Sequence, residues 1–202
     1  MKIFCIGRNY GAHAKELQNA IPESPVVFIK PATAVLKGRD FYYPDFTNDL
    51  HYECELVLRI GKNGKHIDKK FAYRYLDAIT AGIDFTARDV QETQKKKGLP
   101  WEIAKAFDNS AVIGTWQSLS NEKSLSNIQF SMQKNRITVQ SGNTADMLFP
   151  MDTLISYISR FFTLQQGDIV FTGTPAGVGP VAKGDVLEGF LNSVKVFETE
   201  VK

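Results

Sequence analysis

The chain has 202 residues and a formal net charge of +2, with 43% hydrophobic and 23% charged residues. This globular balance gives no electrostatic case for a nucleic acid or an anionic membrane as partner. Such a length can bury one core without disulfide staples, and Cys5 and Cys54, each among apolar neighbours, are expected to be buried and reduced.

The apolar run at residues 3–7 is shorter than a secretory leader needs, and no other run approaches a membrane span, so a cytoplasmic protein is expected. Residues 3–7 read as a short buried strand. Asn9 is expected to cap a helix through about Asn19, on which His13 and Glu16, three apart, share a face. Residues 26–30 read as a strand stopped by Pro31, and 41–50 as a loop. From His51 to Ile60 the chain alternates with period two. Tyr52, Cys54, Leu56, Leu58 and Ile60 fall on one face, and His51, Glu53, Glu55, Val57 and Arg59 on the other. The Lys-Asn-Gly-Lys stretch at 62–65 suggests a hairpin, and 71–77 a helical turn or two. Residues 78–85 read as a buried strand that delivers Asp84 at its far end. Thr86 to Asp89 resembles a capping box opening a helix to about Lys97, with Arg88 and Gln91 on one side and Gly98-Leu99-Pro100 as its stop. Residues 118–126 are a polar connector, 128–132 and 136–140 a hairpin, and 152–162 a core-facing helix. The remainder is β-structure around a glycine-rich loop at 172–179. These elements predict a single α+β domain.

Residues two apart on a strand stand roughly 7 Å apart, so Glu53 and Glu55 are neighbours on one face. Such a pair fits a solvated strand edge, or a divalent-metal site if a third carboxylate arrives from elsewhere. Asp84 is the candidate, since Thr86 is read as the helix cap. His51 shares the face as a ligand, an outer partner or a surface histidine. His13 with Glu16 fits a carboxylate-oriented general base or an ordinary surface pair. Lys105, among Ala104, Ala106 and Phe107, fits an oxyanion stabiliser, a holder of a substrate carboxylate or a snorkelling surface lysine. The 172–179 loop lacks the Lys-Ser/Thr of a phosphate loop and reads as backbone N–H groups approaching a small anion.

Taken in order, Gly7-Arg8-Asn9-Tyr10 with His13 and Glu16, Glu53-x-Glu55, Asp84 to Gln91, Lys105, Gly167-Asp168 and Thr172 to Gly179 resemble the fumarylacetoacetate hydrolase family. The likeness is to its small single-domain acylpyruvase and oxaloacetate decarboxylase branch and covers nearly the whole chain. It implies one catalytic domain over 1–202, folded as a mixed β-sheet roll with short peripheral helices, usually as a homodimer. It implies Glu53, Glu55 and Asp84 as ligands of Mg²⁺ or Mn²⁺. His13 and Glu16 would be a catalytic pair on a segment, about residues 8–20, that orders over bound substrate. Lys105 would be catalytic too, and Arg8, Arg88, Gln91 and Thr174 would line the substrate cavity. The implied activity is metal-dependent hydrolysis of the C–C bond of acylpyruvates to pyruvate and a carboxylic acid, with oxaloacetate decarboxylation at the same site. Within the family the alternative is an isomerase or decarboxylase of 2-hydroxy-dienoates. A different class would be a non-catalytic protein that captures dicarboxylates through a metal.

Overall fold

The computed structural model describes residues 1–16, 21–119 and 125–202, the side chains of residues 13–15 excepted. The strands in chain order are β1 (Ile3–Gly7), β2 (Val26–Lys30), β3 (Asp40–Phe41), β4 (Leu50–Tyr52), β5 (Cys54–Ile60), β6 (Leu76–Asp84), β7 (Thr86–Ala87), β8 (Ala111–Ile113), β9 (Gln117–Ser118), β10 (Gln129–Lys134), β11 (Ile137–Asn143), β12 (Ile169–Phe171), β13 (Gly179–Pro180), β14 (Val186–Leu191) and β15 (Val194–Val201). The helices are α1 (Gly11–Glu16), α2 (Arg88–Lys97), α3 (Glu102–Lys105) and α4 (Met151–Phe161), with 3-10 turns at Ala32–Ala34, Lys69–Tyr75 and Thr144–Asp146. None of the helices among the described residues is long and apolar enough to cross a membrane.

The largest sheet runs β2-β1-β12-β5-β6-β8, with β9 also on β6, and a second runs β11-β10-β14-β15-β3. Both are mixed, because β1 lies parallel to β12 and β15 parallel to β3 while β5 and β6 pair antiparallel. A small third sheet runs β13-β4-β7. This is the expected α+β architecture, a curled mixed sheet with few short helices.

The period-two reading of residues 54–60 places β5 correctly but understates its burial. Cys54, Leu56, Leu58 and Ile60 enter a core shared with Phe130, Leu187 and Phe197 of the second sheet. On the opposite face Val57 packs with Ile3, Cys5 and Phe171. A strand with neighbours on both edges and cover on both faces leaves its polar side chains no route to bulk water. The solvated-edge reading of Glu53 and Glu55 therefore fails: they are only 6% and 2% exposed. Both cysteines are free and buried, as expected.

Four local expectations are corrected. The 51–60 strand is broken at Glu53 into β4 and β5. The tight hairpin at 62–65 is absent: β5 and β6 do pair, but residues 61–75 join them, because Gly64 exchanges two backbone hydrogen bonds with Leu164. Asn9 caps no helix. It is fully buried, and its side-chain amide donates to Thr172 O at 2.8 Å and Phe149 O at 3.1 Å while accepting from Phe149 N at 2.8 Å. The helix that follows starts at Gly11, and 17–19 of its expected span lie outside the described residues. Thr86 is likewise no cap: it belongs to β7, Ala87 stands at the N-cap without a side-chain bond, and the Arg88 amide donates to Asp49 O instead. At the other end α2 stops as expected, at Gly98 in a left-handed conformation with φ 64°.

Candidate active site

The register of β5 on β6 pairs Cys54 with Ile83 and Glu55 with Gly82. Glu53, one residue before Cys54, accordingly meets Asp84 across the strands, and the Asp84 amide donates to Glu53 O at 2.9 Å. Like charges directly opposite destabilise a sheet, and here a third carboxylate stands beside them. Ligand oxygens of Glu53, Glu55 and Asp84 all lie within 4.8 Å of one another. Gly82 opposite Glu55 lets the sheet close, since a Cβ there would meet Val112 O at 2.4 Å.

Buried cations answer this charge. Lys105 Nζ donates to Glu53 Oε2 at 2.7 Å, Asp84 Oδ2 at 2.9 Å and Thr86 Oγ1 at 2.6 Å. Arg88 donates to Glu53 Oε1 at 2.6 Å and to Gln91 Oε1 at 2.7 Å. Lys30, wholly buried, places Nζ 2.8 Å from Asp84 Oδ1 and donates to Ser110 Oγ at 2.9 Å and to the Lys105 carbonyl. Burial drags the Lys105 ammonium down, but Asp84 and Glu53 together outweigh it and hold it above the usual lysine value. Glu55 has a weaker answer. Burial pushes its carboxyl well above the usual range, Asp84 and Glu53 push it further, and Lys105 and the Gly173 N–H offset only part of this.

This donor set is the one hard divalent cations take, three carboxylates converging in a buried pocket. The Asp84 Oδ1 atom also fits that role: it is buried and accepts no hydrogen bond, its close neighbour being the Lys30 ammonium at 2.8 Å. His51 is not in the cluster. Its Nε2 turns to Asp49 Oδ1 at 2.8 Å, and burial, then Arg88, lower its pKa despite that partner.

The loop at 172–179 forms one wall. The Gly173 N–H donates to Glu55 Oε2 at 2.7 Å, an anion contact of the kind read from the sequence, although the anion is the protein's own. Gly173 has φ 100°, and a Cβ on it would sit 2.7 Å from Asn9 Cβ, so glycine is required on both counts. The Thr174 hydroxyl donates to Cys54 O at 2.8 Å and accepts from Gln140 Nε2 at 2.8 Å, while Gln140 Oε1 accepts from Cys54 N. Gln140 thus ties the carboxylate strand to the loop.

Residues 2–202 match the family model for the fumarylacetoacetate (FAA) hydrolase C-terminal domain. The chain belongs to the fumarylacetoacetate hydrolase family. It is 38% identical over 201 residues to a mitochondrial oxaloacetate tautomerase from Bos taurus, covering 99% of this chain and 91% of that one. It is 41% identical over 189 residues to a mitochondrial oxaloacetate decarboxylase from Dictyostelium discoideum, covering 93% and 87%. The crystal structure of fumarylpyruvate hydrolase from Pseudomonas aeruginosa, in complex with Mn²⁺ and pyruvate, superposes with a TM-score of 0.93 at 37% identity, covering 100% and 89%.

In this member of the family, one cleft gathers Glu53, Glu55 and Asp84 with Lys105, and around them Arg8, Arg88, Gln91 and Thr174. Glu16 is not in its lining: it is exposed and accepts the Gly177 N–H at 3.1 Å, which ties the end of α1 to the loop. His13 lies on α1, and its side chain is outside the described ones. Sequence reasoning missed Lys30, Gln140, Thr86 as a Lys105 partner, and Lys95, which also lines the cleft. Lys95 had a signal, since it falls on the helical face already marked by Arg88 and Gln91. Lys30 had a fainter one, a charge closing an apolar strand.

Proposed function

We propose that the protein breaks the C3–C4 bond of small 2-oxo acids that carry a carbonyl or carboxyl group at C4. Acylpyruvates are cleaved by water to pyruvate and a carboxylic acid, and oxaloacetate loses CO₂. The observation that carries this reading is the meeting of Glu53, Glu55 and Asp84 with Lys105 at the floor of one cleft. A divalent cation held by those three carboxylates, Mg²⁺ or Mn²⁺, would supply Lewis acidity to the 2-oxo-carboxylate end of the substrate.

The chain's own groups do the rest. Lys105, kept protonated by Glu53 and Asp84, stabilises negative charge as it develops on a substrate oxygen. Arg88 and Gln91, bonded to each other, and Thr174, fixed by Gln140, orient the substrate in the cleft. His13, steered by Glu16, takes the proton of the attacking water in hydrolysis. Decarboxylation requires no such water, so the two reactions share the floor and differ in their need for α1.

A second reading is supported by the oxaloacetate tautomerase among the relatives. Moving a proton at C3 develops the same enolate charge without breaking a carbon–carbon bond. The dienoate alternative is supported by likeness to 5-carboxymethyl-2-hydroxymuconate delta-isomerase from Mycobacterium smegmatis, with a TM-score of 0.86 and 31% identity over 99% of this chain and 78% of that one. A panel of acylpyruvates, oxaloacetate and a hydroxy-dienoate, each with Mg²⁺, with Mn²⁺ and with chelator, separates these readings by product. Rates indifferent to metal and chelator would overturn the reading at its root.

A further inference from the structure

Helix α2 carries Arg88, Gln91 and Lys95 at steps of three and four, so the three side chains lie along one face, and that face lines the cleft. Arg8 lines the same cleft from the end of β1. Its backbone is left-handed, φ 61°, a conformation uncommon for a residue with a side chain. Here the buried Asn9 beside it is clamped between residues 149 and 172 by three hydrogen bonds.

At the floor, Lys105 and Arg88 are ion-paired with Glu53 and Asp84 and belong to the reacting end of the substrate. Arg8 and Lys95 are only half-buried and stand at the rim. They also press on each other. Burial is the first cause that lowers the Lys95 pKa, Arg8 the second and Arg88 the third, and Glu92 and Glu53 do not reverse it. Cations gathered in this way lower their mutual repulsion when an anion comes between them.

We propose that Arg8 and Lys95 form the subsite for the distal carboxylate of a dianionic 2-oxo acid, and that Lys95 is the residue that makes the cleft prefer dianions to neutral-tailed 2-oxo acids. This rests on the reading that the 2-oxo-carboxylate end of the substrate lies at the floor. Given that, the opposite end of a short chain meets the rim. The preferred substrates are then oxaloacetate and acylpyruvates whose acyl group ends in a carboxylate, rather than acetylpyruvate.

The test is calorimetric binding to the Mn²⁺-loaded protein of 2-oxoglutarate and 2-oxopentanoate, which have equal carbon chains and differ in the terminal carboxylate. Wild type is expected to favour 2-oxoglutarate by about tenfold, the scale of one charge-assisted contact. Lys95→Met is expected to bring the two affinities within about threefold, with the loss falling on 2-oxoglutarate, and Lys95→Arg to restore the preference. A wild type that binds both equally, or a preference that survives Lys95→Met, overturns the subsite. Metal-dependent turnover of oxo acids without this preference removes the subsite alone and leaves the proposed function standing. The binding preference without turnover of any oxo acid removes the proposed function and keeps the subsite.

Discussion

The floor and the rim of the cleft are built from opposite materials. At the floor, Glu53, Glu55, Asp84, Lys30 and Lys105 are buried charges on or beside the central strands, each pinned by at least one ionic or hydrogen-bonded partner. At the rim, Arg8 and Lys95 are half-buried, one just past the end of β1 with a left-handed backbone and the other on α2. A buried charge tolerates no change of partner, because the charge left behind has no water to turn to. A rim charge can be exchanged at small cost to stability, since solvent screens it. The floor therefore sets what chemistry is possible, and the rim sets which molecule receives it.

Substitutions can break that division, and the largest effect is expected at the floor. Glu53→Ala should reduce metal-dependent turnover of every substrate by more than about 10³-fold, since the cation's chemistry is lost outright. Calorimetry with Mn²⁺ should show the affinity falling with it. Substantial remaining activity in steady-state assays would show that Glu53 holds no cation. Lys30→Met should cost about 3 kcal/mol in urea unfolding, the lower end for breaking a buried ion pair. A smaller loss would mean that Asp84 is already satisfied by Lys105. Lys105→Ala should lower kcat for hydrolysis and decarboxylation alike by roughly 10²-fold, as for one oxyanion donor. An unchanged kcat would reduce it to a structural counter-ion.

On α1 the effect should become selective. His13→Ala should slow acylpyruvate hydrolysis by about 10²-fold, the lower range for a general base, and oxaloacetate decarboxylation much less. Equal losses, measured on the two substrates side by side, would contradict the assigned role. The smallest effect is expected at the end of α2, outside the lining of the cleft. Gly98→Ala at the left-handed end of α2 should cost about 1 kcal/mol of stability and leave the ratio of the two activities as it was.

Much of the floor could be read along the chain. Glu53 and Glu55 announce themselves by period two, and Asp84 by ending an apolar strand. Asp84 does converge with the two glutamates, though not because Thr86 caps the helix. Thr86 serves Lys105 instead, and α2 begins without a side-chain cap. The partners of Lys30 and Gln140 are not legible along the chain, for a plain reason. Lys30 meets Asp84 across 54 positions, and Gln140 meets Cys54 across 86. No local period marks a partner that the fold brings from a non-adjacent strand or from another sheet. The Lys62–Lys65 turn failed in the same way, because the partner of Gly64 is Leu164, far outside any hairpin.

The sequence by itself determined the class of fold, the strands that carry the carboxylates, the helical face of Arg88 and Gln91, and the family, because these depend on periodicity and on ordered motifs along one chain. Only the tertiary structure decided that the Glu-x-Glu pair is buried rather than solvated, that Lys30 and Lys105 divide the charge of Asp84 between them, and that Arg8 and Lys95 share a rim. These facts turn on what lies across a sheet or a cleft, and the free energy of a charge is set by its neighbours in space.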